Sequence, residues 1–300
     1  MTVPRALGRP RTPLRIRLAQ RGLDGATLLV LPALVAVLLL FFYPFAYGFV
    51  ISLHAKKGGL LGNYANFFSD PFLYRTLGRT FWIAVPVTLV NVIAAIPVAL
   101  RVRLLRRQRL LTTILVIPIT LGTVLIADGL LLYLGPQGWV NRALEWIGLI
   151  HDPIRLVHNY WGVFLSLVIS GFPFTFLLIL SYVTGVDPAL EHAGAMLGAG
   201  PRQRFFAVIL PLLIPGLAIT FCLSFVQAFS VFPSAVLLGA PAGPTRVISI
   251  AAYTAAFEQY DYPLASAIAI IMGVAQVVIV AGVLSTRGLV YRGPAGGGKG

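Results

Sequence analysis

The stretch TLLVLPALVAVLLLFFYPFAYGFVISL, residues 27–53, decides the fold class because it contains no charged side chain over its whole length. A helix needs about 20 apolar residues to cross the hydrocarbon core of a bilayer. This run is also too long for the apolar core of a secretory signal peptide, and it lacks the small-residue pattern of a cleavage site. We therefore expect it to stay attached as a membrane anchor.

Five more apolar runs of similar character follow along the chain. Together with the first, they predict membrane spans at about residues 27–53, 80–100, 110–134, 161–183, 208–232 and 264–284. Several contain proline or glycine, which spanning helices tolerate when neighbouring helices satisfy the freed carbonyls. The predicted fold is therefore an all-α integral membrane protein, a bundle of six transmembrane helices.

Composition and charge exclude several other classes of protein. The chain is 58% hydrophobic and only 11% charged, so water is not its main solvent. Its net charge of +14 does not indicate a nucleic-acid partner, because the basic residues lie between apolar runs rather than on one soluble face. Cys222 is the only cysteine, which excludes an internal disulfide framework and a cysteine-cluster zinc site.

The distribution of Lys and Arg predicts the orientation in the membrane. The amino-terminal segment, the loops after the second and fourth spans and the carboxyl-terminal segment hold 16 of them, against 7 in the other connections. Because positive loops stay on the cytoplasmic side, both termini are predicted to be cytoplasmic. The predicted organisation is a basic segment 1–26, a membrane domain 27–284 with a cytoplasmic loop 185–207, and a flexible tail 285–300.

The loop 185–207 between the fourth and fifth spans has the pattern of a short capped helix. Asp187 suits the N-cap, and Pro188 suits the first helical position because its missing N–H has no intrahelical partner there. Gly198 and Gly200 allow the chain to turn before Pro201 opens a second helix. An apolar stripe at helical spacing is formed by Ala189, Leu190, Ala193 and Leu197.

This loop resembles the cytoplasmic loop of the binding-protein-dependent importer permeases, the MetI-like family. The family signature is Glu-Ala-Ala, three residues, Gly, and further on Leu-Pro. With the motif's glycine and proline at Gly198 and Pro211, the glutamate and the two alanines fall on His192, Ala193 and Gly194. The resemblance runs from the first predicted span to the last.

The resemblance implies that this helix couples the spans to a separate ATPase subunit. The acid is displaced from its family position: Glu191 stands one residue early, about 100° around the helix. The implied coupling residues are Glu191, His192, Ala193, Gly194, Gly198 and Pro211. The alternative interpretation is an ordinary capped loop helix.

The implied protein is a non-catalytic permease subunit in the bacterial cytoplasmic (inner) membrane, with the six-helix MetI-like bundle as its fold. The chain would bind no cofactor, since ATP and Mg would bind to an ABC ATPase dimer. The glycine-rich run 293–300 lacks the Ser or Thr of a phosphate loop. The other implied partners are a second permease subunit, in a heterodimer rather than a homodimer, an extracytoplasmic solute-binding protein, and the lipid bilayer.

Three outer segments, residues 62–69, 229–239 and 262–267, are similar to the spermidine/putrescine branch of the family. This similarity implies a polyamine-like solute. Iron(III), thiamine, phosphonate, opine or sugar remain alternative solutes, because a shared fold does not choose between them.

Four polar residues are candidates for the solute path: Asp128, Gln227, Glu258 and Asp261. An ionisable group within a span is costly and commonly faces a wet cavity, although Asp128 could instead snorkel to the interface or bond a neighbouring helix. Gln227 could equally be a packing contact between helices. Glu258 and Asp261 lie among tyrosines, which suits ammonium groups, docking of a binding protein, or a solvated loop.

Two other classes of function make different demands on the sequence. An ion-coupled secondary transporter would place several charged residues or broken helices near the midplane. A membrane-embedded enzyme would need catalytic residues facing one another in the bilayer. The four histidines fall in loops, and Asp128 is the only acidic residue well inside a span.

Overall fold

The computed structural model describes residues 25–56 and 58–290, with side chains from 30 to 286 apart from residue 57. Residues 1–24 of the predicted basic segment and residues 291–300 of the predicted tail lie outside the described residues. The chain divides into two compact units after Ile51. Helix α1, Gly25–Ser52, forms the described part of the first unit and ends at the boundary between the two.

The second unit is also built from helices, and the described residues contain no strand. In chain order they are α2 (Gly62–Ser69), α3 (Pro71–Val102), α4 (Gln108–Leu134), α5 (Trp139–Trp146), α6 (Tyr160–Thr184), α7 (Pro188–Met196), α8 (Pro201–Phe229, with a π-helical turn at Phe205–Ile209), α9 (Pro233–Leu237), α10 (Ile248–Tyr253, followed by a π-helical turn at Thr254–Glu258) and α11 (Tyr262–Val290).

Among the described residues, six helices are long and apolar enough to cross a membrane, and they overlap the six predicted spans. They are α1, α3, α4, α6, α8 and α11. This confirms the predicted all-α, six-span fold. The predicted bounds of the second span were too narrow, because α3 begins at Pro71, where the Asp70 side chain accepts a hydrogen bond from the Phe72 N–H at 2.8 Å.

The carboxyl-terminal boundary is a second correction. Residues 285–290 were predicted to belong to the flexible tail, but α11 continues to Val290. Ser285 and Thr286 bond back to the carbonyls of Gly282 and Val283, at 2.8 Å each, so these hydroxyls are satisfied without ending the helix.

Three clusters of buried apolar side chains lie among the described residues of the second unit, and two of them are large. At the end that carries α2 and α10, the cluster includes Phe67, Phe225, Phe229, Ile248 and Ile268. At the end that carries α7, it includes Ala95, Ala99, Phe176, Ile179 and Leu213. Small residues in the second cluster allow the spanning helices to approach closely, which is how helices associate in lipid.

Hydroxyl pairs add polar contacts between helices at the middle of the bundle. Ser166 on α6 donates to Ser234 on α9 at 2.9 Å, and the Thr175 and Ser224 hydroxyls of α6 and α8 lie 2.8 Å apart. All four side chains are buried. Such bonds stabilise helix association in a bilayer by about 1 kcal/mol each.

The contact between α6 and α8 yields a test of the fold. A Cβ at Gly216 would lie 2.4 Å from the Tyr182 ring, so Gly216→Ala forces the two helices apart. We expect a loss of ~1–3 kcal/mol, measured as a lower melting temperature in detergent.

Gly273→Ala is the matched control. Gly273 lies inside α11, and a Cβ there has no heavy atom within 4 Å. We expect no loss of stability in this variant, because alanine favours a helix more than glycine does. Equal melting temperatures for the two variants would contradict the close α6–α8 packing.

Candidate functional site

Helix α7 begins and ends as its sequence predicts. The Asp187 carboxylate accepts a hydrogen bond from the Ala189 N–H at 2.8 Å, and Pro188 takes the first helical position. At the other end the Ala199 N–H reaches the Gly194 carbonyl at 3.1 Å while Gly198 adopts φ +80°. This is a Schellman motif, in which glycine supplies the left-handed residue without steric cost.

An ion pair from Arg103 and the aliphatic stem of Arg204 connect α7 to the neighbouring spans. Arg103, which caps the carboxyl end of α3, forms an ion pair with Glu191 and donates from Nη1 to the Val183 carbonyl of α6 at 3.4 Å. On the other side the stem of Arg204 lies where a Cβ at Gly194 would meet it at 3.3 Å. None of the α7 residues is buried, so these contacts replace an apolar anchor.

The predicted coupling residues divide between two surfaces of α7. Glu191 is turned inward to Arg103, and Gly194 lies beside Arg204. His192 and Ala193 are exposed, and the His192 Nδ1–H donates to the Pro188 carbonyl at 2.8 Å, since a carbonyl can only accept. The residue at the family's glutamate position is thus an exposed imidazole, and the neighbouring carboxylate is internal.

The apolar stripe predicted on α7 faces outward rather than into the bundle. Leu197, the last residue of the stripe, is 88% exposed and Leu190 is also exposed, while Met196, next to the stripe, is 90% exposed. Large apolar side chains presented together on one short helix commonly mark a surface that binds another protein.

Pro211 accounts for the π-helical turn near the start of α8. Proline lacks an N–H and its ring clashes with the carbonyl four residues earlier, so the α-helical bonding pattern cannot continue through Ala207. The backbone widens over Phe205–Ile209, and the Leu210 N–H bonds to the Phe205 carbonyl. The predicted second helix and the fifth span are therefore one helix with a π-turn between them.

A cavity of about 260 Å³ lies among α3, α4, α6 and α8 in the second unit. Hydroxyl and amide groups are frequent in its lining, which includes Asn91, Thr123, Ser170, Thr175, Ser224, Gln227, Ser230 and Ser234. No charged side chain of the described residues lines it. Gln227, which is exposed, borders this cavity, and its role in a solute path stays a prediction.

Asn91 is one of the lining residues that sequence reasoning missed. It is 2% exposed, its Nδ2 contacts the Leu167 carbonyl at 3.5 Å, and a Cβ at Gly171 would lie 2.8 Å from that nitrogen. An asparagine in an apolar run facing a glycine on another span is the signal that could have identified it.

The three acidic candidates lie elsewhere. Asp128 is exposed on α4 and does not line the cavity. Asp261 pairs with Lys56 at 2.7 Å and accepts from the Leu264 N–H at 3.2 Å, so it caps the start of α11. Glu258 is exposed at the end of the π-turn that follows α10.

An aromatic groove of about 490 Å³ runs between α10 and α11. Phe232, Tyr253 and Phe257 form a row in it, with ring centroids 5.0 and 4.9 Å apart, and Tyr262 adds a further ring to the lining. Rings in this arrangement can hold a cationic group by cation–π contact.

Arg246 is a buried cation that does not line this groove. From the sequence alone it counts only as one of the basic residues in the connections between spans. It is 5% exposed and its guanidinium lies 3.8 Å from the centre of the Phe72 ring. Burial lowers the pKa of Arg246, and the nearby carboxylates of Glu258 and Asp70 oppose that shift. These interactions indicate that Glu258 compensates the charge of the buried Arg246.

A protein-family model described as "Binding-protein-dependent transport system inner membrane component" matches residues 88–292. The match covers α4 to α11 and the second half of α3, including the whole of α7 and its two arginine contacts.

Two curated relatives illustrate the range of the similarity. The chain is 32% identical over 164 residues to the probable sulfate transport system permease protein cysT of Prototheca wickerhamii, covering 54% of this chain and 62% of the relative. It is 29% identical over 181 residues to the spermidine/putrescine transport system permease protein PotB of Escherichia coli K12, covering 60% and 66%. The chain thus spans slightly less than two thirds of each relative.

A solved structure shares the fold over almost the whole chain. It is a bacterial alginate ABC transporter in complex with alginate pentasaccharide-bound periplasmic protein, matched with a TM-score of 0.78 over 94% of this chain and 100% of the other. The sequence identity is 22%, so the likeness concerns the fold.

Proposed function

Since the chain belongs to the family of binding-protein-dependent transport system inner membrane components, we propose that it is the permease subunit of an ATP-binding-cassette importer. In this proposal the chain moves a small solute across the inner membrane and performs no chemistry itself. ATP and Mg bind to partner ATPase subunits, whose closure is passed to the spans through α7.

The observation that carries this proposal is the two-sided construction of α7. One side is tied to α3 by the Arg103–Glu191 ion pair and lies beside the stem of Arg204 on α8, while the other presents Met196 and Leu197 almost fully exposed. A helix that is anchored by charges on one side and apolar on the other suits a docking element that must move as a rigid body.

The proposed assembly contains the partners that the family implies. Two ATPase subunits bind on the cytoplasmic side, where both termini and α7 are placed by the positive charges. A second, different permease subunit completes the path, because alternating access around a central axis requires two halves. An extracytoplasmic binding protein delivers the solute, as a periplasmic protein does in the complex named for the solved alginate transporter.

Leu197→Asp tests the ATPase contact. A charge placed at the centre of an apolar interface is expected to cost at least ~2 kcal/mol, which corresponds to about 30-fold weaker binding. We expect the ATPase to be recovered with the wild-type chain after gentle purification from native membranes, and to be lost with this variant.

Leu149→Asp is the control, because Leu149 is also exposed, at 68%, but lies after α5 on the predicted outer side. This variant should retain the ATPase. Recovery of the ATPase with Leu197→Asp at the wild-type level would contradict docking through α7.

For the solute we propose a polyamine. The aromatic groove between α10 and α11 supports it, because Phe232, Tyr253 and Phe257 offer a row of ring faces to an ammonium group. PotB, whose name gives spermidine and putrescine as solutes, is among the relatives.

A sulfate-like oxyanion is the second candidate, and the central cavity favours it. Asn91, Thr175 and Gln227 supply neutral hydrogen-bonding groups there, and no carboxylate of the described residues would repel an anion. The relative cysT is named for sulfate transport.

Uptake measurements separate these two candidates. We expect cells that express this permease with its binding protein and ATPase to accumulate radiolabelled spermidine, and an excess of unlabelled putrescine to compete. Sulfate should neither accumulate nor compete. Accumulation of sulfate without spermidine would contradict the polyamine assignment and support the oxyanion.

Phe257→Leu provides a matched variant for the groove, since it keeps an apolar side chain but removes the ring. We expect spermidine uptake to fall about fivefold, on the basis of ~1 kcal/mol for one cation–π contact. An unchanged rate of uptake would show that the groove does not contribute to recognition.

A further inference from the structure

Arg103 is the residue through which three helices meet near α7. It caps the carboxyl end of α3, its Nη1 donates to Val183 in the last turn of α6, and its Nη2 pairs with Glu191 in the first turn of α7. The side chain is only 10% exposed, so this guanidinium is an internal group rather than a surface charge.

Each charged group of the Arg103–Glu191 pair lies at a helix end that carries a partial charge of the opposite sign. The guanidinium stands at the carboxyl ends of α3 and α6, where partial negative charge accumulates, and the Glu191 carboxylate stands in the positive first turn of α7. Glu191 is 24% exposed. The ion pair is therefore favoured by the backbone of all three helices and is weakly screened by solvent.

Room for movement lies directly beside the pair. A cavity of about 290 Å³ borders Arg103, Glu191, His192 and Arg204, and no apolar residue of α7 is buried against the spans. A helix with a packed apolar face would be fixed in place. Here the Arg103–Glu191 pair is the direct polar tie from α7 to α3 among the described residues. Motion of α7, which the backbone already joins to α6 through residues 185–187, therefore reaches α3 through this guanidinium.

We propose that Arg103 is the positioning residue that transmits displacement of α7 to α3, with Glu191 as its partner on α7. This inference rests on the proposed function, since it concerns the coupling of a partner ATPase to transport. It assigns the Glu191 carboxylate, which is displaced from the family's glutamate position, to an ion pair within this chain rather than to a contact with the ATPase.

The experiment compares ATP turnover with solute uptake in proteoliposomes that contain the whole importer. With Arg103→Gln we expect the ATPase to remain bound and to hydrolyse ATP, while uptake per ATP falls about tenfold, within the range typical of coupling between sites. Arg103→Lys keeps the positive charge but loses the planar guanidinium, which can bond two partners at once. This variant should give an intermediate value of uptake per ATP.

Glu191→Gln should also lower the ratio, and the double variant should be no worse than Arg103→Gln alone, because both changes remove the same ion pair. Arg101→Gln is the control, since Arg101 lies two residues earlier on α3 and is exposed. It should leave uptake per ATP unchanged.

An unchanged ratio in Arg103→Gln, with an assembled importer, overturns the role of Arg103 and leaves the proposed function standing. Failure of the wild-type chain to recruit any ATPase would overturn the proposed function itself. If Arg103→Gln does not assemble, Glu191→Gln decides: it retains the bond to Val183, so a lowered ratio supports the tie and a wild-type ratio overturns it.

Discussion

The attachment of α7 to the spans by charge, rather than by apolar packing, is the constraint on which the function of this structure depends. None of its residues is buried, and its ionic attachment is the pair between Arg103 and Glu191, with the stem of Arg204 beside Gly194. A pair of opposite charges has a preferred geometry but tolerates small rotations, whereas an interdigitated apolar face does not. The helix can therefore respond to a partner while remaining connected to the bundle.

The spanning helices show how the chain combines a tight bundle with an internal cavity. Small residues and glycines, such as Gly216 against Tyr182, allow close contacts at the α7 end. Further along the same helices, hydroxyl and amide side chains border the central cavity and satisfy one another in pairs such as Thr175 and Ser224. Polar groups at this depth are stable because they have partners or face the cavity.

The sequence predicted the parts of this structure that depend on local pattern. Six apolar runs specified the spans, and Asp187, Pro188 and Gly198 specified the bounds of α7, because capping and left-handed glycine are local effects. It did not predict the Arg103–Glu191 pair, which joins residues 88 positions apart. Arg103 was counted with its neighbours as a topology signal, since one-dimensional charge does not reveal which arginine turns inward.

The same limit explains the mixed outcome for the path candidates. Gln227 lines the cavity, but Asp261 is bound by Lys56 and Asp128 is exposed on α4. Their roles in transport stay predictions. A lone acid in an apolar run indicates a cost that must be met, and only the fold shows whether a cavity, a partner cation or the helix surface meets it.

Cross-linking from the exposed end of α7 tests the central claim most directly. A cysteine in place of Met196, which is 90% exposed, can be introduced after the buried native Cys222 is replaced by alanine. In native membranes we expect this cysteine to cross-link to an ATPase subunit, with a yield that changes when ATP is added, whereas a cysteine at Leu149 does not. Labelling of the Met196→Cys position only from the outer side of the membrane, with no ATPase cross-link, would contradict the coupling role of α7.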